Sequence, residues 1–187
     1  MEMDCLLPYE GEGYFKASLS EPMSCIVGAA HAQYHTRMGS YTHLMGIVEK
    51  GNCAILAGAG PMGLGCIDYL CHGPRQPKRL VVTDIDERRL ARAAQLFSPD
   101  EARRSGVELT YVNTASLPDP VAALRAMADG NGYDDVFVFA PVAPVVEQGD
   151  ALLARNGCLN FFAGPTRTDF AAKFNFYNVH YAETHLV

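Results

Sequence analysis

Cys53-Ala-Ile-Leu-Ala-Gly-Ala-Gly-Pro-Met-Gly63 is the stretch that decides the fold. Five uncharged residues of strand length, 53–57, run directly into G-x-G-x-x-G, so the glycines stand where a strand turns into a helix. Each glycine has its own physical task. Gly58 permits the tight turn, Gly60 lets the backbone approach a pyrophosphate, and Gly63 allows the helix to pack closely on the strand. The helix begins near Pro61, carries Leu64, Ile67, Leu70 and Cys71 at helical spacing, and stops at Gly73-Pro74. Its first turn offers unpaired N–H groups and the positive end of its dipole to phosphates. Gly58, Gly60, Pro61, Met62 and Gly63 are therefore candidate cofactor-binding residues. The competing reading is a glycine turn that serves structure alone.

The same alternation continues outward. Strands are expected at 80–83, 107–112, 135–139, 158–163 and 184–187, with helices at 87–97, 121–128 and 142–155 between them. The fourth strand is nearly all apolar, as a strand covered on both faces should be. Upstream, 22–33 reads as a helix with Pro22 in its first turn, whereas 1–17 has no clear period. These elements predict an α/β, Rossmann-type, doubly wound sheet of six parallel strands in the order 3-2-1-4-5-6, with an N-terminal flanking helix. Residues 21–187 form the nucleotide-binding domain, and 1–20 read as the remnant of a linker or of another domain. The last expected strand is still running at Val187, which predicts a chain cut from a longer one.

The second strand ends at Thr83-Asp84, and Asp84 lies twenty-one residues beyond Gly63, close to the offset of the acid that binds the adenosine ribose in such folds. A carboxylate there accepts hydrogen bonds from ribose hydroxyls and repels a 2′-phosphate, which argues for NAD over NADP. A helix cap or loop carboxylate is the alternative, because Asp86 and Glu87 also stand at that helix start. Ala140 and Gly164, at the carboxyl ends of the fourth and fifth strands, lie where open parallel sheets bind ligands.

Composition narrows the partners. A chain of 187 residues, 49% hydrophobic, builds one well-packed domain. With 19% charged residues and a formal net charge of -6, it has no electrostatic footprint for nucleic acid or an anionic membrane, which leaves small molecules and proteins. No membrane-length apolar run and no signal peptide are present, so a cytoplasmic protein is expected. The six cysteines form no C-x-x-C pair and read as reduced, mostly buried thiols. His31 and His35 are spaced i, i+4 but lack a neighbouring carboxylate, and the histidines read as surface or interface residues.

Glu21-Pro-Met-Ser-Cys25, the 58–65 segment and Asp84-Ile-Asp-Glu-Arg-Arg-Leu90 together resemble the cofactor domain of zinc-containing medium-chain dehydrogenases, the polyol and threonine dehydrogenase branch. The stretches 160–165 and 178–181 are similar to the L-sorbose 1-phosphate reductase group. The resemblance implies an NAD-dependent oxidoreductase of an alcohol, polyol or sugar phosphate, working as a homodimer or homotetramer. It also implies that the GroES-like catalytic domain, with most of the zinc ligands, lies outside this sequence, so no residue here is assigned as catalytic. Three further assignments come with it. Glu21 matches a glutamate directed at the zinc or its water, Cys25 would fall near the nicotinamide on the same helical face, and Arg89 matches a basic residue that holds the ribose. Glu21 as a first-turn acid favoured by the helix dipole, and Arg89 as an exposed helical arginine, remain open beside these.

Two other classes stay in view. An S-adenosylmethionine-dependent methyltransferase pairs a glycine turn with the same distal acid, but usually carries an acid just before the glycines, and 53–57 has none. A nucleotide-sensing or oligomerisation module would bind the cofactor without chemistry.

Overall fold

The computed structural model describes residues 8–11 and 13–187. Part of the 1–20 segment, residues 1–7 and 12, lies outside the described residues. After a short helical turn, α1 (Tyr14–Ala17), comes α2 (Ser20–Ala32). A small antiparallel pair follows, β1 (Tyr34–His35) and β2 (Leu44–Met45). The main sheet then begins with β3 (Asn52–Leu56), α3 (Pro61–His72), β4 (Arg79–Asp84), α4 (Glu87–Leu96), α5 (Pro99–Arg104) and β5 (Glu108–Asn113). It is completed by α6 (Pro120–Met127), β6 (Tyr133–Val138), α7 (Ala143–Leu152), β7 (Leu153–Phe161), α8 (Phe176–Tyr181) and β8 (His185–Leu186). All pairings in the six-stranded sheet are parallel, in the order β5-β4-β3-β6-β7-β8, which is the expected 3-2-1-4-5-6.

The alternation of side chains along a strand sorts the core onto two faces. From the central strand β3, Cys53 and Ile55 join Ile67, Leu70, Leu80, Val82 and Phe137 under α2 and α3. Ala54 and Leu56 join Val81, Leu124, Val136, Leu152 and Leu159 under α6 and α7. Ile26 and Ala30 of α2 are buried in the first cluster, so the flanking helix is a full member of one layer.

Several local readings need correction. The helix expected over 142–155 stops at Leu152, and β7 begins at once. The reason is a close approach of the two strands. A Cβ on Gly132 would meet the Leu152 carbonyl oxygen at 2.6 Å, and one on Gly157 would meet the Tyr133 carbonyl oxygen at 2.8 Å. Asn156 takes up the resulting irregularity at φ 61°. Helix α5 was not expected, although Ser98 caps it, accepting from Glu101 N, and Pro99 opens it. Within the polar connection before the last strand, Asn175 caps α8 by accepting from Tyr177 N and Asn178 N. His35 is neither helical nor on the surface. It lies in β1, 4% exposed, because its ring is hydrogen-bonded between β6 and β7.

Among the described residues, no helix is long and apolar enough to cross a membrane.

Candidate functional site

A cleft of about 470 Å³ opens at the carboxyl ends of β3, β4, β6 and β7. This is where the strand order reverses about β3, the place at which doubly wound sheets take their ligands. Of the residues singled out from the sequence, Gly60, Pro61, Met62, Gly63, Asp84, Arg89, Ala140 and Gly164 all line it.

The glycines divide their work somewhat differently from the expectation. The left-handed backbone of the turn belongs to Ala57, at φ 53°, and not to Gly58. Gly58 is required for another reason, since a Cβ there would collide with the Ile55 side chain. Its N–H donates to the Thr83 carbonyl at 2.8 Å, which fastens the loop to β4. Gly63 has the expected role, because a Cβ would run into the Gly58 carbonyl, with the Gly58 carbonyl carbon 2.5 Å away. Gly60 is the opposite case, with open space where its Cβ would be. It is also the N-cap of α3 and offers no side-chain cap, so the first-turn N–H groups are left for a ligand.

Asp84 is 6% exposed and organises the loop. Its Oδ1 accepts from Ile85 N at 2.8 Å and Asp86 N at 3.1 Å, and its Oδ2 accepts from Ala59 N at 3.2 Å. Two carboxylate oxygens offer about four acceptor positions, so three bonds leave capacity on Oδ2 toward the cleft. The capping alternative belongs to its neighbour. Asp86 accepts from Arg89 N at 3.2 Å and Arg88 N at 2.9 Å, and these backbone bonds hold its carboxyl below the usual range. The Arg89 guanidinium rests 3.8 Å from Asp86 Oδ2 and is 63% exposed, a contact that leaves it free to turn to a ligand.

Apolar residues without a motif of their own complete the cleft. Phe139 and Phe162 lie with ring centroids 4.8 Å apart, and Ile85 stands 72% exposed beside Asp84. The sequence reading did not single them out, and their signal is positional, since each immediately follows or closes a strand end.

Cys25 and Glu21 are not brought into this cleft. Both are exposed on α2, where Cys25 Sγ donates to Glu21 Oε1 at 3.3 Å. That bond, more than burial, pushes the thiol pKa up, so Cys25 stays protonated. Among the described residues, no group of three or more His, Cys, Asp or Glu could hold a metal ion.

No protein-family model matches the chain. Along its whole length it is 58% identical to mannitol-1-phosphate 5-dehydrogenase of Aliivibrio fischeri and 46% identical to L-sorbose 1-phosphate reductase of Klebsiella pneumoniae. It spans 44% of the length of each of these relatives. Among solved structures, 2R,3R-butanediol dehydrogenase from Bacillus subtilis shares the fold, with a TM-score of 0.65 at 17% identity, over 94% of this chain and 42% of that one. The resemblance drawn from the sequence therefore holds, both in the relatives and in the fold.

Proposed function

We propose that this chain is the NAD(H)-binding domain of a zinc-type oxidoreductase that interconverts a polyol or sugar phosphate and the corresponding carbonyl compound, as in the reduction of L-sorbose 1-phosphate. One observation carries the reading. An uncapped helix N-terminus, an open Gly60 and the Asp84 carboxylate converge on one cleft at the reversal of strand order, in a chain homologous throughout to sugar-phosphate dehydrogenases and reductases.

In this reading the pyrophosphate lies over Gly60 and the first turn of α3, with Gly58 and Gly63 keeping the loop flat against β3 and β4. Asp84 Oδ2 accepts from a ribose hydroxyl, and Arg89 swings from Asp86 to the same ribose. Met62, Ala140 and Gly164 flank the path of the dinucleotide toward the Phe139–Phe162 pair. NAD supplies the hydride acceptor or donor when bound, and the residues here hold and orient it.

Zinc does not fit the residues described. Glu21 is a single carboxylate hydrogen-bonded to Cys25, whereas a catalytic zinc takes three protein ligands. The proposal assigns the rest of that site, and the substrate pocket, to other parts of the protein, and it gives Glu21 at most an accessory place and Cys25 a place beside the nicotinamide only in that larger assembly. Pairing of two copies through the edge strand β8, whose Leu186 is 51% exposed, belongs to the same proposal.

The test is cofactor preference. A charge-assisted hydrogen bond is worth about 1.5–3 kcal/mol, so NADH should bind at least about tenfold more tightly than NADPH. Fluorescence titration with both, on the native chain and on Asp84→Asn, would measure it. The variant should narrow the gap, and equal affinities in the native chain would sink the assignment of Asp84.

A further inference from the structure

The segment between β1 and β3 buries one large apolar side chain, Ile47, 4% exposed in the core with Ile67 and Leu70. Residues 37–45 are all exposed, with Met38 and Tyr41 fully so. Beside the β1–β2 pairing, the bond from Gly46 N to the Gln33 carbonyl and the bonds from Arg75 to the Met45 and Ile47 carbonyls, a polar hub fastens it toward the amino-terminal ends of β6 and β7, the end of the sheet opposite the cleft. His35 Nε2 lies 3.1 Å from Asp135 Oδ1, and His35 Nδ1 lies 2.9 Å from the Asn156 carbonyl oxygen. Asp135 Oδ2 accepts from Val48 N at 2.8 Å, at the far end of the segment. The Asn156 side chain clasps Thr36, accepting from its N at 2.8 Å and its Oγ1 at 2.9 Å and donating to its carbonyl at 2.9 Å.

Both partners of the His35 ring are acceptors. A neutral imidazole has one N–H and one lone pair, so with a carboxylate at Asp135 it would aim that lone pair at an oxygen about 3 Å away, and the attraction there would become repulsion. Only the imidazolium, or the equivalent state with the proton on Asp135, satisfies both contacts. We propose that His35, Asp135 and Asn156 form a proton-dependent latch, which holds the 34–48 segment on the sheet while the pair keeps its shared proton and releases it when that proton is lost.

The surroundings agree with this. Burial opposes the charge on His35, yet the hydrogen bond and charge of Asp135 outweigh it, helped by the Asn156 carbonyl and by Asp134, so the His35 pKa is raised above its ordinary value. Burial raises the Asp135 carboxyl as well, so both groups hold the shared proton more firmly. The other groups facing the hub do not compete for it. Burial pushes the Cys158 thiol up to about 12 and the Cys53 thiol well above its ordinary range, leaving both neutral. Burial raises the pKa of the Tyr34 phenol, so it too stays neutral. His185 donates from Nε2 to Asn156 Oδ1 at 3.0 Å, and burial together with His35 and His43 lowers its pKa despite Glu183.

A raised histidine contributes stability that is complete below its unfolded value, about 6.5, and is lost as pH climbs through the folded value. The latch therefore opens on the alkaline side. Nitrogen-15 NMR of the histidine rings, with hydrogen exchange at Thr36 and Val48 corrected for the intrinsic rate, tests it between pH 6 and 9. Both His35 ring nitrogens should carry protons at pH 6.5, and its titration should fall above that of a free histidine. Protection of the two amides should drop about tenfold for each unit of the raise. In Asp135→Asn, the His35 midpoint should fall to the free value or below and the pH dependence of exchange should disappear. Whether or not that variant folds, the native chain decides the matter: a His35 that is a single neutral tautomer at pH 6.5, or amide protection unchanged across its titration, would overturn the latch.

Discussion

Gly60 and Gly63 stand three residues apart in one motif, and the structure predicts opposite consequences for the same substitution. In Gly63→Ala the added methyl meets backbone, the Gly58 carbonyl with its carbon at 2.5 Å and the Gly58 Cα at 2.7 Å, and backbone cannot rotate away. Overpacking of this kind costs about 1–3 kcal/mol, which for a domain of this size lowers the melting temperature by about 2–4 °C per kcal/mol. Gly60 has φ -83° and ψ 175°, extended backbone open to any residue, and its methyl would meet nothing within 4 Å. Gly60→Ala should therefore melt at the native temperature or slightly above it, since restricting the unfolded chain gains about 0.4–1 kcal/mol. Its methyl would occupy the open cleft where the pyrophosphate is proposed to lie, displacing at least one charge-assisted hydrogen bond, so NADH affinity should fall at least about tenfold. Thermal melts by far-ultraviolet circular dichroism and titration by NADH fluorescence read the two effects separately. The reasoning fails if Gly63→Ala melts with the native chain, if Gly60→Ala loses more than about 1 kcal/mol, a cost that open space cannot produce, or if Gly60→Ala binds NADH as tightly as before.

Asp150 is 8% exposed, its Oδ2 accepts from Asn175 N at 2.9 Å, and its Oδ1 is buried with no partner among the described residues. Burial raises its carboxyl pKa, so the folded state binds the proton more tightly than the unfolded chain and the ionised group becomes a burden as pH rises above about 3.9. Asp150→Asn keeps an acceptor for Asn175 and removes the charge. Calorimetry should find the variant more stable at pH 7, with the gain shrinking toward pH 4, and a less stable variant at pH 7 would contradict this account. For the chain by itself, metal analysis should find less than stoichiometric zinc, and NADH should not be oxidised by ketoses or ketose phosphates with or without added zinc. Tightly bound stoichiometric zinc would move the metal site into this domain.

Much of the molecule is legible in its sequence because the deciding signals are local. A buried strand must be apolar, a helix on a sheet must repeat its apolar residues every three or four positions, and a phosphate-binding turn needs glycines at fixed offsets. Those constraints yield six strands in the right order, the Gly58–Gly63 loop, and Asp84 at the mouth of the cleft. Even α5, which was not expected, has a local start signal in Ser98-Pro99-Asp100-Glu101. Tertiary structure alone decided the rest. That Ala57 and not Gly58 takes the left-handed turn, and that Gly58 must lack a side chain because Ile55 lies against it, are set by the packing of the loop on the strand. That β7 starts at Leu153 depends on how closely Gly132 and Gly157 let two strands approach. Cys25 lies outside the cleft because Ile26 and Ala30 bury the other face of α2 against the sheet, which leaves Cys25 exposed. His35 reads as a surface histidine in the sequence because its partner is a hundred residues away. A polar residue in the interior has no local pattern, since what makes its burial tolerable is a group brought to it by the fold.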